Sequence, residues 1–258
     1  MDHLLYEFDQ GVATITLNRP DVYNSFNQDM ALALQKTLDE CAKDETVRAI
    51  CLTGAGKAFC AGQDLQEIID PNGPGVGDIV GNHYNPIIKR LREIEKPIIA
   101  AINGVAAGAG ANIALACDIT IAKESASFIQ AFSKIGLIPD SGGTYFLTRL
   151  VGFQRASALM MLGDKVSATD AVQMGMIYKA VAEEDFEATV KKIAQKLAKM
   201  PTKGLGLTKR ALNLGMNNDL DRQLAVEEQL QTAASQTADY KEGVNAFLEK
   251  RQPTFTGQ

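Results

Sequence analysis

Along the first two thirds of the chain, short apolar runs alternate with segments in which apolar residues recur at helical spacing. Residues 12–17 and 48–53 are compact apolar runs, and each predicts a buried strand. Between them, residues 27–43 carry an apolar residue every three or four positions, which predicts a helix with Asn27 as its N-cap. Further strands are expected at 97–102 and 118–122, and further helices at 109–116 and 142–151. This alternation predicts a layered α/β core.

In the last third of the chain, the spacing of apolar residues is typical of helices throughout. Helices are expected at 168–174, 185–200, 203–216, 219–235 and 240–250. We therefore expect two domains, an α/β core over residues 1–200 and a helical lobe over residues 201–258, with the boundary at Met200 and Pro201. Residues 70–82, which are rich in glycine and proline, predict a mobile surface loop of the kind that covers a ligand.

Two segments favour a location in the cytoplasm, away from membranes. The first 17 residues alternate polar and apolar side chains without a basic region, which predicts a strand and no signal peptide. Residues 97–117 are nearly apolar enough for a membrane span, but Asn103, Asn112 and three glycines interrupt them. A buried strand followed by a closely packed helix is the better interpretation.

Composition narrows the possible partners and cofactors. The chain has 258 residues and a formal net charge of −5, with no basic block that would follow a phosphate backbone, so nucleic acid is not an expected partner. The four cysteines show no CxxC spacing and the only histidines are His3 and His83, so no metal site is expected. Reduced thiols fit the cytoplasm.

Neither glycine-rich motif fits a nucleotide-binding fingerprint. The string GAGK at 54–57 has Cys51 in place of the first Walker glycine and Ala58 in place of the serine or threonine. Gly108 and Gly110 begin a GxG motif, but Ile113 stands where the third dinucleotide-binding glycine belongs. These departures count against a nucleoside triphosphatase and against a nicotinamide enzyme.

Three other segments combine features that a carbonyl-activating site requires. The loops FCAGQDL at 59–65 and NGVAAGAG at 103–110 each follow a predicted strand, and their small residues allow a ligand to approach backbone amides. The same small residues are also compatible with close packing alone. In the third segment, FSKIGLIPDSGGT at 132–144, Asp140 opens a helix. Asp140 or Ser141 could simply cap that helix, or Asp140 could move protons beside a developing oxyanion.

The combination resembles the enoyl-CoA hydratase/isomerase family, also called crotonases. The resemblance rests on FCAGQDL, KPIIAAINGVAAGAGANIALACDITIA, SFIQAFSKIGLIPDSGGTYFLTRLVG and SATDAVQMGMIYKAV, and it extends from NRPDVYNSFN at 18–27 to EGVNAFLEKR near the C-terminus. It implies a spiral of strand-strand-helix turns with a helical trimerisation lobe, assembled as a homotrimer or a dimer of trimers. It also implies a coenzyme A thioester as substrate, with no separate cofactor, polarised by the backbone amides of Gln63 and Ala109.

The chain departs from the hydratase pattern of that family. Hydratases place two glutamates over the thioester, but Asn112 and Phe132 stand at those positions here, and neither is a general acid or base. Asp140 matches the single aspartate of family isomerases, so the resemblance implies an isomerase. The context is most similar to members that convert 2-(1,2-epoxy-1,2-dihydrophenyl)acetyl-CoA to oxepin-CoA in phenylacetate degradation. Phe132, Ile138, Phe146 and Tyr145 are expected as apolar walls that raise the pKa of Asp140.

Several alternatives stay open from the sequence. Among enzymes they are a cis-3/trans-2 enoyl-CoA isomerase, an enoyl-CoA hydratase, and a dehalogenase-like enzyme that uses the aspartate as a nucleophile. A catalytically inactive scaffold that binds acyl-CoA or RNA is the alternative outside enzymology. His83 could approach the acyl group, although a lone loop histidine is usually just exposed. The residues that the resemblance suggests for coenzyme A binding are Val22, Tyr23, Ala61, Asp64, Leu65 and Lys250, the last being equally compatible with a solvated cation at a helix end.

Overall fold

The computed structural model of the chain describes residues 3–258. Its strands are β1 (Leu4–Asp9), β2 (Val12–Leu17), β3 (Ala49–Gly54), β4 (Ala58–Cys60), β5 (Ile98–Ile102), β6 (Val105–Ala107), β7 (Ile119–Lys123), β8 (Ser127–Ile129), β9 (Lys165–Ser167) and β10 (Lys179–Val181). Its α-helices are α1 (Gln28–Lys43), α2 (Leu65–Ile69), α3 (Val76–Asp78), α4 (Asn85–Glu93), α5 (Ala109–Ala116), α6 (Gly143–Val151), α7 (Phe153–Leu162), α8 (Ala168–Gln173), α9 (Phe186–Ala198), α10 (Thr202–Gly215), α11 (Leu220–Ser235) and α12 (Ala238–Leu248). Short 3₁₀ turns cover 20–22, 131–135 and 183–185, and a π-helix covers Ile79–Tyr84.

The strands form two sheets within the described range. The larger sheet has the order β1-β2-β3-β5-β7-β10, in which β1 pairs antiparallel with β2 and the other neighbours are parallel. The smaller sheet has the order β4-β6-β8-β9, with β4, β6 and β8 parallel. Parallel strands joined through helices bury both sheet faces, which is why these strands are almost wholly apolar. The predicted α/β architecture is confirmed.

The main hydrophobic core lies on the inner side of the larger sheet. It unites the apolar stripe of α1, including Met30, Leu34 and Leu38, with the aromatic residues Phe26, Phe59 and Phe128. A second, smaller core forms on the outer face, where α9 packs against β2, β3 and β7. Asn27 caps α1 as predicted, since its side chain accepts a hydrogen bond of 3.1 Å from the Met30 amide.

The predicted elements agree with the structure to within one or two residues at their ends. The N-terminal segment, of which Met1 and Asp2 lie outside the described residues, contains two strands, because Gln10 (φ 49°) and Gly11 (φ 82°) turn the chain between β1 and β2. The helices α10, α11 and α12 form the predicted C-terminal helical region. The division into domains at Met200 and Pro201 stays a prediction.

The predicted surface loop at 70–82 is wrong over its second half. Gly75 starts α3, and the π-helix follows without interruption. Ile79, His83 and Tyr84 of this segment are buried, so apolar anchoring overrides the helix-breaking tendency of Gly77 and Gly81. The expectation of an exposed His83 is therefore wrong as well, because its side chain is only 5% exposed.

Residues 3–258 contain neither a metal-binding cluster nor a membrane-spanning helix. No group of three or more histidine, cysteine, aspartate and glutamate side chains there could hold a metal ion. No helix in that range is long and apolar enough to cross a membrane. All four cysteines are free and buried, and burial raises the pKa of Cys51, Cys60 and Cys117 to about 12.

Candidate active site

Two backbone loops meet at one edge of the smaller sheet. The first follows β4 and the second follows β6, and because these strands are parallel neighbours their C-terminal ends lie side by side. A methyl group added at Gly62 would lie 3.1 Å from the Ala107 carbonyl oxygen and 3.6 Å from the Ala109 nitrogen. Only glycine allows this close approach, and Gly62 also has a left-handed φ of 99°.

Each loop presents a backbone amide that secondary structure leaves free. Phe26 bridges to the first loop by accepting from the Asp64 amide and donating to the Gly62 carbonyl, so the Gln63 amide between them points away from the bridge. Ala109 is the first residue of α5, where the amide has no carbonyl partner within the helix. The two amides therefore form a candidate oxyanion hole.

Asp140 sits at a tight turn that leads into α6. The Asp140 carbonyl accepts a hydrogen bond of 2.8 Å from the Gly143 amide. Ser141 (φ 51°) and Gly142 (φ 72°) between them are both in the left-handed region, as in primed turns. The residue preceding α6 is Gly142, and α6 has no side-chain cap. The expectation that Asp140 or Ser141 caps this helix is therefore wrong, because the two left-handed residues place Gly142 at the N-cap position.

The Asp140 carboxylate is partly buried and has a single neutral side-chain partner. Ser141 Oγ donates to Asp140 Oδ1 over 2.9 Å. Burial raises the pKa of the Asp140 carboxyl above its ordinary value, and the Ser141 hydrogen bond opposes that rise without cancelling it. Within residues 3–258 the carboxylate forms no ion pair. A carboxyl group in this environment is a stronger base than an exposed one.

A cavity of about 220 Å³ joins Asp140 to the two amide loops. Gln63, Ala109 and Asp140 all line it, so the structure brings the three predicted catalytic residues together. Its wall is mostly apolar and includes Leu65, Ile68, Val76, Ile79, Val80, Tyr84, Phe132, Ile135 and Leu137. Larger concavities of about 440 and 520 Å³ lie elsewhere on the molecule and contain neither amide loop.

The walls of the cavity differ in part from the prediction. Phe132 is 6% exposed and lines the cavity as expected, with its ring tip 3.8 Å from the place of a methyl group on Gly108. Ile138 is 81% exposed, so it cannot desolvate Asp140. Tyr145 and Phe146 border the separate concavity beside α10, because they lie on the face of α6 that packs toward Arg92 and α10. The α3 and π-helix segments provide the apolar wall that these residues were expected to form.

A chain of side-chain hydrogen bonds supports the first amide loop. Tyr84 Oη donates to Gln63 Oε1 over 2.6 Å, and Gln63 Nε2 donates to Glu67 Oε2 over 2.7 Å. Glu67 Oε1 in turn accepts from the Gln28 amide at the start of α1, at 2.8 Å. The Gln63 side chain is thus held at both ends while its backbone amide borders the cavity.

Sequence reasoning missed Tyr84 and Glu67. Tyr84 is buried, and burial raises its pKa well above the ordinary value, with Cys60, Asp140 and Glu67 acting in the same direction. No local signal in the sequence identifies Tyr84, because the glycines of the π-helix segment favour a loop. His83 on the same segment is not among the residues that line the cavity.

The residues suggested for coenzyme A binding lie in different places. Ala61 and Leu65 line the cavity. The Asp64 side chain pairs with Arg19 at 2.8 Å and also caps α2 by accepting from the Gln66 amide. Its role in the structure is therefore to hold the first loop and α2. Val22 and Tyr23 are exposed on the 3₁₀ turn beside the first loop, where the Tyr23 carbonyl accepts from the Ala61 amide. Lys250 is exposed just after α12 and does not border the cavity.

Comparison with known proteins identifies the family. A model of the family described as enoyl-CoA hydratase/isomerase matches residues 7–258. The chain belongs to the enoyl-CoA hydratase/isomerase family. It is 49% identical to a 1,2-epoxyphenylacetyl-CoA isomerase of Escherichia coli K12, with all of both chains covered. It is also 36% identical to a trans-2-decenoyl-acyl-carrier-protein isomerase of Streptococcus mutans, over 99% of this chain and 98% of that one.

Solved structures of the family share the fold. The crystal structure of an enoyl-CoA hydratase from Bacillus anthracis superposes with a TM-score of 0.93 at 35% identity, covering 99% of this chain and 100% of that chain. The predicted crotonase fold is thereby confirmed, as is the prediction of an enzyme in the isomerase group of this family. The family description and the name of the Escherichia coli relative both specify coenzyme A thioesters, which agrees with the substrate class that was expected.

Proposed function

We propose that this member of the enoyl-CoA hydratase/isomerase family isomerises 2-(1,2-epoxy-1,2-dihydrophenyl)acetyl-CoA to oxepin-CoA. The observation that carries the proposal is the position of Asp140 as a partly buried carboxylate, without an ion pair among residues 3–258, in the cavity that Gln63 and Ala109 also line. The 49% identity to the Escherichia coli isomerase supports this substrate. The aromatic walls formed by Phe132 and Tyr84 suit a ring-bearing acyl group.

In this mechanism the thioester carbonyl oxygen accepts hydrogen bonds from the Gln63 and Ala109 amides. Asp140 removes the proton from the carbon next to the carbonyl, and the electron pair moves onto the oxygen as an enolate. One such donor typically lowers the barrier by about 2.7–4 kcal/mol. The bond between the two epoxide carbons breaks as the ring expands to the seven-membered oxepin. The protonated Asp140 returns its proton to a ring carbon while the enolate electron pair re-forms the carbonyl and a double bond between the alpha carbon and the ring, so the product has the same atoms as the substrate.

The surroundings of Asp140 suit both halves of that cycle. An ordinary aspartate has a pKa near 3.9 and is a weak base, and the burial of Asp140 raises this value. A proton shuttle of this kind accelerates a reaction by roughly 100- to 10,000-fold. The residues that correspond to the hydratase glutamates give no second acid, because Phe132 cannot ionise and Asn112 is fully buried outside the cavity.

For coenzyme A we propose contacts along the first amide loop. Ala61 and Leu65 border the cavity, and the exposed Val22 and Tyr23 lie beside them. Asp64 contributes by holding this loop through Arg19. Lys250 is proposed only as a contact to the nucleotide end from a neighbouring copy, in the homotrimer or dimer of trimers that the family resemblance suggests.

A second candidate function is the shift of an enoyl-CoA double bond from the cis-3 to the trans-2 position. It uses the same two amides and the same carboxylate. The aliphatic part of the cavity wall, formed by Ile68, Ile79 and Val80, favours it because a linear acyl chain would pack there.

The deciding experiment is a side-by-side assay of the purified protein with the epoxide thioester, cis-3-enoyl-CoA and crotonyl-CoA. Chromatography with mass spectrometry separates isomerised products, which keep the substrate mass, from hydrated ones. We expect the oxepin thioester to form with the highest kcat/KM. Faster conversion of cis-3-enoyl-CoA would favour the second candidate, and a hydrated product alone would contradict both.

A further inference from the structure

A pair of buried amide side chains contacts the Asp140 turn without lining the cavity. Asn112 on α5 is 0% exposed and Gln130, which follows β8, is 2% exposed. Gln130 Nε2 donates to Asn112 Oδ1 over 2.8 Å. Buried polar side chains are costly unless they are paired, so this pair requires an explanation beyond filling space.

The pair holds the backbone of Asp140. Asn112 Nδ2 donates to the Asp140 carbonyl over 2.9 Å, and the Gly143 amide donates to the same oxygen. Asn112 is also packed directly against Gly143, where an added Cβ atom would overlap the Asn112 amide group. The Asp140 carbonyl is thereby held by two donors, one from its own turn and one from α5.

The turn at Asp140 needs such support. Ser141 has a left-handed φ of 51° although it carries a side chain, and it is 1% exposed. A non-glycine residue in this region costs roughly 1–2 kcal/mol relative to its preferred conformation. Such a conformation persists only where the surroundings hold it in place. Asn112 supplies the contact that joins this turn to a rigid element.

The anchoring element also carries one of the two cavity amides. Asn112 lies three residues after Ala109 on α5, about one helical turn away. One helix therefore fixes both the Ala109 amide and, through Asn112, the backbone of Asp140. A displacement of about 1 Å between reacting groups can reduce a rate by about 100-fold, so this shared support matters for chemistry.

We propose that Asn112, held by Gln130, is a positioning residue that sets the Asp140 carboxylate relative to the Ala109 amide. This inference rests on the proposed proton-transfer role of Asp140. It gives a function to the residue that stands where hydratases carry a glutamate. Asn112 faces the Asp140 turn and does not line the cavity, so it acts on the substrate only through Asp140.

The test replaces both amides by apolar side chains of similar size, Asn112→Leu with Gln130→Met. Removing both partners of a buried hydrogen bond can be nearly neutral for stability, so the variant is expected to fold. Its kcat should fall by about 10- to 100-fold while KM changes little, because the lost contact positions an acid that acts in the chemical step.

Thr120→Val is the matched structural control. Thr120 is also buried, and its Oγ1 donates to the Ala114 carbonyl of the same helix over 3.0 Å, without contact to the Asp140 turn. It should lower the melting temperature and leave kcat unchanged. A kcat loss in Thr120→Val as large as that in the Asn112 variant would contradict a positioning role, since any disturbance of α5 would then suffice.

A double-mutant cycle with Asp140→Asn separates this inference from the proposed function. In the Asp140→Asn background the Asn112→Leu and Gln130→Met changes should have no further effect on residual turnover, because the acid that they position is gone. Additive losses would overturn the positioning role. Near-normal turnover of Asp140→Asn alone would instead overturn the proposed mechanism.

The single variant Gln130→Met covers the case in which the double replacement does not fold. It leaves the hydrogen bond from Asn112 to Asp140 possible but frees the Asn112 amide to rotate. We expect its kcat to fall about fivefold below that of Thr120→Val, which is the factor for one hydrogen bond of roughly 1 kcal/mol. An unchanged kcat would contradict the proposal.

Discussion

Asp118 and Asp140 are both partly buried aspartates, but they differ in the charge of the groups that contact them. Asp118 accepts hydrogen bonds from Arg92, at 2.9 Å, and from Lys209, at 2.8 Å, and it also accepts from the Ile98 amide. Asp140 accepts from one hydroxyl group and has no cation beside it within the described part of the chain. Two cations stabilise the charge of Asp118, whereas burial opposes the charge of Asp140.

The comparison separates an acid used for structure from an acid suited to proton transfer. Asp118 follows α5 and joins α4, through Arg92, to α10, through Lys209. Arg92 also binds Asn213 of α10, so this cluster fastens the C-terminal helices to the core. Arg92 and Lys209 therefore give the Asp118 carboxylate a structural role. Asp140 has no ion pair within residues 3–258, and burial raises the pKa of its carboxyl, which suits proton transfer.

Among the variants that test the difference between Asp118 and Asp140, Asp140→Asn is expected to have the largest effect on turnover. The amide keeps the shape of the carboxyl group but cannot take a proton, so turnover should fall by at least about 100-fold. Calorimetric binding of the coenzyme A thioester and the melting temperature should stay close to those of the parent. Asp78→Asn, at an exposed aspartate on α3, is the control with unchanged kcat. Normal turnover of Asp140→Asn would remove the distinction between the two acids.

Asp118→Asn should give the opposite pattern, a loss of stability without a loss of chemistry. Lys209 is 6% exposed and would be left buried without its counter-charge. Breaking a buried pair in this way typically costs roughly 3–5 kcal/mol, which urea unfolding would measure. Asp9→Asn, which breaks an exposed pair with Lys191, should cost about 1 kcal/mol or less. Equal losses of unfolding free energy in the two variants would contradict the role of the Asp118 cluster in joining the C-terminal helices to the core.

The pH dependence of stability distinguishes the two acids in a second way. Burial raises the pKa of Asp140 above its value in the unfolded chain, so the folded state binds the proton more tightly. The resulting stabilisation is present in full below the unfolded pKa of about 3.9 and is lost as the pH rises through the raised folded pKa.

Two measurements test this sign. Asp140→Asn should gain stability relative to the parent as the pH rises through that window, when unfolding free energies are compared at its two ends. The kcat/KM of the parent should fall as the pH drops below the raised pKa, because the base becomes protonated. A constant stability difference across the window would mean that the carboxyl is not desolvated.

Asp140, Gln63 and Ala109 could be proposed from sequence because the family resemblance that implies their roles rests on contiguous motifs. Small residues after a strand, a proline before an aspartate and glycines after it are local signals. Local signals gave a wrong prediction for the N-cap of α6. Ser141 and Gly142 adopt a left-handed backbone conformation there, and neither Asp140 nor Ser141 caps the helix. The turn here is bonded to Asn112, which is 28 residues away, and no local signal reports that contact.

The parts of the site that could not be predicted depend on such distant contacts. Tyr84 reaches Gln63 across 21 residues, and Gln130 reaches Asn112 across 18. The π-helix at Ile79–Tyr84 left no recognisable trace because its glycines suggested a loop. Apolar periodicity located the strands and helices, since burial is distributed along whole elements. A hydrogen bond between two side chains leaves no such periodic signal.

Tyr84→Phe is expected to have the smallest effect on turnover. It tests whether the neutral Tyr84 hydroxyl group supports the active site, as the two cations support the Asp118 cluster. Removing Tyr84 Oη leaves the ring packed edge-on against Phe26, at 5.8 Å between centroids, but removes the 2.6 Å bond to Gln63. One neutral hydrogen bond is worth about 0.5–1.5 kcal/mol, so kcat should fall only several-fold.

The division of that loss between kcat and KM shows what Tyr84 does. If the hydroxyl orients the Gln63 amide, the deficit falls on kcat, because the amide binds most strongly to charge that develops in the transition state. Tyr178→Phe, at a tyrosine that is 67% exposed, is the control without effect. A rise in KM with unchanged kcat would instead mean that Tyr84 only shapes the cavity wall, and that the first amide loop is supported by Glu67, the Phe26 bridge and the Arg19–Asp64 pair without it.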